Sequence, residues 1–495
     1  MRIKSFLVIG TFLTASVLSG CRTNLLGGDA PVAPQPQAPA APVVVEGMRT
    51  SYADIVERTS PAVVRIVAEI KEKPASQTQF PGGDDFFRQF QIPQQQPNRR
   101  PQVERGVGSG VIVSADGSIL TNHHVVDGAT KITVLMSDNK SYDAKIVGSD
   151  QPSDLAVLKI EAESLPFLTL GNSDSVRVGD IVLAIGNPLG IGQSVTSGII
   201  SAKGRRTGLS DGSFEDFLQT DAPINRGNSG GALVSLNGEL IGINSQILSG
   251  GAGGGNIGIA FSIPSNMAKS VMEQLLKDGK VRRGRLGIGL QNITDDLAKA
   301  LDLQQRTGVI ISSVIKGSAA DKAGVKRNDL IIAINGEKIE DSNVLRNKVA
   351  GTTPGTEIKL TIMRDGKEVE LTATLDEFEA GNARNAGPGR NDENDGGPQN
   401  QSGKLGLSLE PVTPATARQL SLDSDKEGMV VTEVDPDGPA AEEGVARGDC
   451  ILEINKKQVN SIADVQAALA SSGERPVLLL ISRRGQTIYL TVKPQ

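Results

Sequence analysis

The segment "GVIISSVIKGSAADKAGVKRNDLIIAINGEKI" (308–339) returns later in the chain as "GMVVTEVDPDGPAAEEGVARGDCILEINKKQV" (428–459). No other feature restricts the possible architecture so strongly. Gly308 matches Gly428, Gly324 matches Gly444 and Asp329 matches Asp449, each offset by 120 (428−308, 444−324, 449−329). Two copies are too few for a solenoid, which needs three or more stacked units. They predict two homologous domains over 284–376 and 404–493, joined by the Gly/Asn-rich linker "EAGNARNAGPGRNDENDGGPQNQSG" (379–403), which has almost nothing apolar to bury.

The chain upstream of the duplication has a different texture. Short apolar runs such as "KITVLM", "DLAVLKI", "DIVLAIG", "GALVS", "LIGINSQIL" and "IAFSI" alternate with turn residues, and "SGVIVSADGSIL" has a turn signal between two strand-like runs. Many short strands at this spacing predict an antiparallel sandwich or a pair of barrels. The series ends at "PSNMAKSVMEQLLKDGK", a helix in which Ser265 or Asn266 is placed to cap. Met267, Val271, Met272, Leu275 and Leu276 share one face, and Gly279 closes the end. Residues 49–280 therefore read as one mainly β unit. Within it, 73–102 is a Gln/Pro-rich loop that nevertheless holds Phe80, Phe86, Phe87 and Phe90, aromatics suited to docking.

The first residues read as an export signal. Arg2 and Lys4 precede the apolar run Phe6–Leu18, which is shorter than the roughly 20 residues a spanning helix needs. The run leads into "LSGC" (18–21), similar to the box cut before an acylated cysteine, with an ordinary signal peptide as the alternative. Residues 1–21 are then the signal, and 22–48 an Ala/Pro-rich spacer. A lipid on Cys21 implies membrane association, at the outer membrane since Arg22 follows the cysteine.

Composition excludes several classes of function. The net charge is −6, and Lys and Arg are scattered, so nothing points to nucleic acid. Two cysteines, Cys21 and Cys450, give no disulfide framework. With only two histidines, side by side, no zinc-ligand set can be assembled, and no cofactor or metal is expected.

Those two histidines, His123 and His124 in "ILTNHHVVDG", are the only imidazoles available for acid–base chemistry. A nucleophile candidate lies in "TDAPINRGNSGGAL" (220–233), where glycines flank Ser229 and allow consecutive N–H groups to converge. Asp154 precedes the apolar run of "SDLAVLKI" and needs a partner if buried. The chain order His, Asp, Ser is that of the chymotrypsin-type barrels. "GVGSGVI" (106–112) is not a dinucleotide loop, because a strand and turn follow it. Its glycines suit close strand approach instead.

"TNHHVVDGA", "SDLAVLKI", "GNPLG", "TDAPINRGNSGGAL" and "NIGIAFSIPSNM" resemble the HtrA (Do-like, DegP-type) serine proteases of the bacterial periplasm, and the two repeats resemble that family's PDZ domains. The resemblance covers roughly 50–495 and implies a chymotrypsin-like double β-barrel followed by two PDZ domains. The family pattern Thr-Asn-x-His-Val puts the catalytic imidazole at His124, which local chemistry alone does not separate from His123. Ser229 would be the nucleophile, His124 the base and Asp154 its orienting partner. Gly227, Asn228 and Ser229 would form the oxyanion hole.

In the repeats, Leu286, Gly287 and Ile288 of "RLGIG" and Leu405, Gly406 and Leu407 of "KLGLS" would form carboxylate-binding loops, with Arg285 or Lys404 adding charge. The family also implies an ATP-independent endoprotease of the periplasm, acting on unfolded or misfolded envelope proteins and assembled as a homotrimer or larger homo-oligomer. A chaperone or PDZ binding protein that holds such clients without cutting them is the rival reading.

Overall fold

The computed structural model describes residues 51–71, 103–188, 192–207, 214–225, 227–249, 255–303, 306–378, 405–419, 427–470, 476–483 and 485–493. The export signal with Cys21, the spacer, the aromatic loop, the inter-repeat linker and Lys404 lie outside them.

Twelve strands build two closed barrels. The first barrel uses β1 (Val63–Lys71), β2 (Val103–Ile112), β3 (Ser118–Thr121), β4 (Ala129–Leu135), β5 (Ser141–Asp150) and β6 (Leu155–Ile160). The second uses β7 (Ile181–Gly186), β8 (Ser194–Arg205), β9 (Phe217–Thr220), β10 (Ala232–Ser235), β11 (Leu240–Ser249) and β12 (Asn256–Pro264). Closure removes the unpaired edges that an open sheet would expose. Along β1, Val64, Ile66 and Ala68 are buried in alternation with Arg65, Val67 and Glu69, the period-2 pattern of a strand with one face on a core. Strand β2 crosses close to its neighbours because Gly108 and Gly110 carry no side chain. A Cβ on Gly108 would lie 2.7 Å from Val125, and one on Gly110 2.8 Å from Ile119 and Ile66.

The helix Ser265–Asp278 follows β12 and packs Ala268, Val271 and Leu275 inward. Burying the valine and leucine contributes about 1.5–3 kcal/mol each. Two expectations change here. Leu276 is exposed, so the apolar stripe is narrower than its sequence suggests. The N-cap is Pro264, and neither Ser265 nor Asn266 caps the helix; the Ser265 hydroxyl instead donates to the Gly171 carbonyl at 2.6 Å, tying the helix to the body of the protein. Gly279 ends the helix in the left-handed region, its N–H on the Leu275 carbonyl.

Each repeat folds into an antiparallel sheet. The first contains the short ribbon β13 (Gly284–Arg285), then β14 (Ile288–Asn292), β15 (Val309–Val314), β16 (Leu330–Ile334), β17 (Glu337–Lys338), β18 (Glu357–Arg364), β19 (Lys367–Thr374) and β20 (Asp376–Glu377), which pairs with β13. The second contains β21 (Leu407–Pro411), β22 (Met429–Val434), β23 (Cys450–Ile454), β24 (Lys457–Gln458), β25 (Val477–Arg483) and β26 (Gln486–Val492). Sheet orders are β14-β15-β16-β18-β19 and β21-β22-β23-β25-β26, so β14 and β21 are edge strands.

The matched positions of the duplication have the same physical cause in both copies. A Cβ at Gly308 or Gly428 would lie 2.7 Å from the carbonyl of Ile331 or Ile451. Asp329 and Asp449 are buried and receive a bidentate guanidinium from Arg364 and Arg483. Cys450 is buried.

Candidate active site

His124 sits in a single helical turn, His123–Val126, at the exit of β3. The turn is held from below by Asn122, fully buried, whose amide donates to the Asp154 carbonyl at 3.0 Å. The His124 backbone N–H donates to Asp154 Oδ1 at 3.1 Å, and its ring Nδ1 lies 2.9 Å from both carboxylate oxygens. A carboxylate accepts only, so Nδ1 carries the proton and Nε2 is the basic nitrogen. His123 turns elsewhere, with Nδ1 2.7 Å from the Ser149 hydroxyl.

Asp154 occupies the left-handed region at φ 52°, which a short side chain able to bond locally tolerates. This conformation closes a tight turn, Gln151–Ser153, and starts β6. Burial opposes ionisation of Asp154. The adjacent His124 imidazole, with hydrogen bonds from His124 and Ser245, outweighs it and holds the carboxyl below its ordinary value. The turn is anchored at its start by Asp150, which accepts from the Ser153 N–H at 3.0 Å and from both Arg283 terminal nitrogens at 2.8 and 2.6 Å. Arg283 precedes the first repeat and stacks 4.7 Å over the Phe214 ring, which meets Phe378 edge-on at 5.6 Å. The chain entering the first repeat therefore grips the turn that positions Asp154.

Ser229 lies in the loop between β9 and β10 and is 4% exposed. Its hydroxyl donates to the Ser245 carbonyl at 3.1 Å, and the Ser245 hydroxyl in turn donates to Asp154 Oδ2 at 2.7 Å. Ser109 of the first barrel orients the loop: its N–H donates to the Ser229 carbonyl at 2.8 Å and its hydroxyl to the Gly227 carbonyl at 2.6 Å. With these carbonyls drawn toward the first barrel, the N–H groups of Gly227 and Ser229 meet no hydrogen-bond acceptor among the described residues. Two such donors suit a developing oxyanion. The Asn228 N–H, expected beside them, is spent on the Asn225 carbonyl at 3.0 Å, because the loop makes a tight turn there. Asn228 packs its side chain on Gly186, where a Cβ would lie 2.3 Å from Oδ1.

The sequence-derived residues His124, Asp154 and Ser229 thus meet at the seam of the barrels, joined through Ser245. That serine and Ser109 were not among the expected residues. The only sequence signal for Ser245 is the polar stretch Asn244–Gln246 inside the otherwise apolar run "LIGINSQIL". Among the described residues, no group of three or more His, Cys, Asp or Glu side chains is placed to hold a metal ion.

The two expected carboxylate loops share one geometry. In the first repeat the Leu286 carbonyl accepts from the Ala320 N–H, Gly287 (φ 76°) accepts from the Ile315 N–H, and Ile288 starts edge strand β14. In the second, Leu405 accepts from Ala440, Gly406 (φ 71°) accepts from Asp435, and Leu407 starts β21.

Comparison with known proteins places these features in a group. A trypsin-like peptidase domain family matches residues 108–243, and PDZ domain families match 284–375 and 430–483. The chain is 44% identical over 412 residues to a Chlamydia trachomatis protein named probable periplasmic serine endoprotease DegP-like, covering 83% of this chain and 79% of the relative. It is 41% identical over 450 residues to the Escherichia coli periplasmic pH-dependent serine endoprotease DegQ, covering 90% and 91%. Among solved structures, the HtrA-type protease AlgW with a decapeptide is 41% identical, with a TM-score of 0.52, covering 67% of this chain and 99% of that one. AlgW with a tripeptide is 40% identical with a TM-score of 0.55, covering 67% and 99%.

Proposed function

The chain belongs to the HtrA family of DegP-like serine endoproteases, and from that membership we propose a periplasmic enzyme that cuts unfolded or misfolded envelope proteins without ATP. It is a serine endopeptidase: a trypsin-like peptidase domain followed by PDZ domains. In this reading Ser229 is the nucleophile, His124 the general base and then acid, and Asp154 the group that orients the imidazole. The observation that carries the reading is the chain of contacts from Ser229 through Ser245 to Asp154, with both Asp154 oxygens 2.9 Å from His124 Nδ1.

The chemistry runs as follows. The Ser229 hydroxyl proton turns from the Ser245 carbonyl to His124 Nε2 as Oγ bonds to the scissile carbonyl carbon. The carbonyl π electrons move onto oxygen, where the N–H groups of Gly227 and Ser229 receive the charge. Collapse breaks the C–N bond, and the departing amine takes the proton from His124. Water then attacks the acyl-enzyme, again losing its proton to His124, which returns it to Ser229 Oγ. Asp154 stays ionised throughout and stabilises the imidazolium.

The loops at Leu286–Ile288 and Leu405–Leu407 are proposed to receive C-terminal peptides as an added strand on β14 and β21. Relatives solved with a decapeptide and a tripeptide support a peptide ligand. Assembly as a homotrimer or larger oligomer and a lipid on Cys21 complete the reading. Casein digestion tests its core. The mature chain should cleave casein and Ser229→Ala should not. Casein held soluble but uncut by the unaltered chain would favour a holding role, and cleavage by the alanine variant would remove Ser229 as nucleophile.

A further inference from the structure

Arg65 has no counter-ion in the first barrel. Along β1, Val64, Ile66 and Ala68 fill the barrel, while Arg65 leaves from the opposite face and is half-buried. Its cross-strand partners are Ser109 on β2 and Leu135 on β4, and Val63 and Val67 flank it along the strand. None of these four neighbours carries a charge. The Arg65 Nε is buried without a hydrogen-bond partner, and no carboxylate among the described residues pairs with the side chain. A guanidinium drawn out of water normally has a carboxylate or carbonyls to hold it, because an uncompensated charge there costs free energy.

The face from which Arg65 emerges is turned toward the second barrel. Residues directly opposite in an antiparallel pair share a face, with Cβ atoms about 4.5–5.5 Å apart, so Arg65 leaves β1 beside Ser109. The Ser109 hydroxyl accepts from the Asn187 N–H at 2.8 Å and donates to the Gly227 carbonyl at 2.6 Å, and its N–H donates to the Ser229 carbonyl at 2.8 Å. The second barrel also reaches the start of β1, where the Gln193 amide donates to the carbonyls of Ser60 and Val63. Arg65 therefore brings an unneutralised positive charge to a distance on the order of 10 Å from the N–H groups of Gly227 and Ser229. The strand order β1-β2-β3 puts His124, at the exit of β3, one strand farther away.

We propose that Arg65 is an electrostatic support for the oxyanion, a cation behind the Ser109 bridge that stands nearer to the negative oxygen of the tetrahedral intermediate than to the imidazolium. This role rests on the reading of Gly227 and Ser229 as the oxyanion donors. The two charges form together in the transition state, so a cation equally far from both would attract one as much as it repels the other. Arg65 stands closer to the oxygen, and its attraction exceeds its repulsion. It touches neither the substrate nor a reacting atom, so it is a supporting charge and not a catalytic residue.

The test compares Arg65→Met, which removes the charge and keeps the reach of the side chain, with Arg65→Lys, which keeps the charge. Against a fluorogenic peptide, kcat should fall about threefold or more in Arg65→Met and stay within about twofold of the parent in Arg65→Lys. A peptide chloromethyl ketone with a labelled carbonyl carbon reads the field directly. His124 Nε2 displaces its chloride, Ser229 Oγ adds to its carbonyl, and carbon NMR follows the ionisation of the resulting hemiketal oxygen. The pKa of that oxygen should rise by about 0.3 or more in Arg65→Met and return toward the parent value in Arg65→Lys. Loss of packing alone would slow the enzyme without moving this titration. Should Arg65→Met fail to fold, Arg65→Gln is titrated in its place, with the same rise expected. An unmoved titration in the uncharged variant, or an equal rise in Arg65→Lys, overturns the support. A parent that forms no hemiketal removes Ser229 as nucleophile, and the support falls with it.

Discussion

Ser245 spans the space between Ser229 and Asp154, taking the hydroxyl of one on its carbonyl and giving its own hydroxyl to the carboxylate of the other. A hydrogen bond to a charged group contributes about 1.5–3 kcal/mol. Ser245→Ala should therefore lower kcat about tenfold or more without unfolding the enzyme. The lost donor was helping to keep the Asp154 carboxyl low, so its pKa rises. Activity that needs ionised Asp154 is lost as pH falls, and the acid limb of the kcat profile should move to higher pH. A pH–rate series on a peptide substrate reads both effects.

The two histidines should separate cleanly. His124→Ala removes the base and should cost on the order of 10⁶ in kcat. His123 faces Ser149, outside the carboxylate's reach, and His123→Asn should keep kcat/KM within about twofold. The reverse ranking in one assay would overturn the choice of His124.

Arg283 and Asp150 are 8% and 7% exposed, a buried ion pair. Removing one partner of such a pair leaves the other charge uncompensated, at a cost of about 3–5 kcal/mol. Arg283→Ala should lower the urea midpoint by a corresponding amount. It should also lower kcat, since Asp150 anchors the turn that ends at Asp154. Arg283→Ala with Asp150→Asn should recover part of the stability.

Asp216 provides a pH signature. Burial first, then Asp174 and the Asp341 cap of the helix Ser342–Gly351, push it up to about 6, against the pull of Lys203 and Lys348. A carboxyl raised in the folded state binds its proton more tightly there than when unfolded, so its charge costs stability above pH 6. That cost disappears as pH falls through 6 toward the unfolded value. Asp216→Asn should raise the urea midpoint most at pH 8 and by roughly half as much at pH 5, which still lies above the unfolded value of 3.8, and paired titrations at the two values would check the ratio.

How much of this was legible beforehand differs by feature. His124, Asp154 and Ser229 could be read because each belongs to a short local pattern. Their partners could not. Ser245 acts through a contact 91 positions from Asp154, and Arg283 through one 133 positions from Asp150. The helix cap was misjudged because Ser265 had a better acceptor in Gly171, which only the folded chain brings near. The invariants of the duplication were visible as letters, but their cause, a carbonyl 2.7 Å from where a Cβ would stand, needed the sheet. The apolar run "VLLLIS" of β25 marks a buried strand but not what covers Leu478 and Leu480, which only the fold supplies.

The bonds that Ser109 makes to Gly227 and Ser229 have a bearing on folding as well as on rate. Ser109 belongs to one barrel and the N–H groups of Gly227 and Ser229, proposed as oxyanion donors, to the other, so neither barrel alone holds the proposed site. A chain with only its first barrel closed has no Ser229 in reach, and its Asp154 lacks the Ser245 hydroxyl and the Arg283-anchored turn that hold it. One with only its second barrel closed has a serine whose loop lacks its template. Cleavage therefore requires both barrels closed against each other, through bonds that neither makes alone.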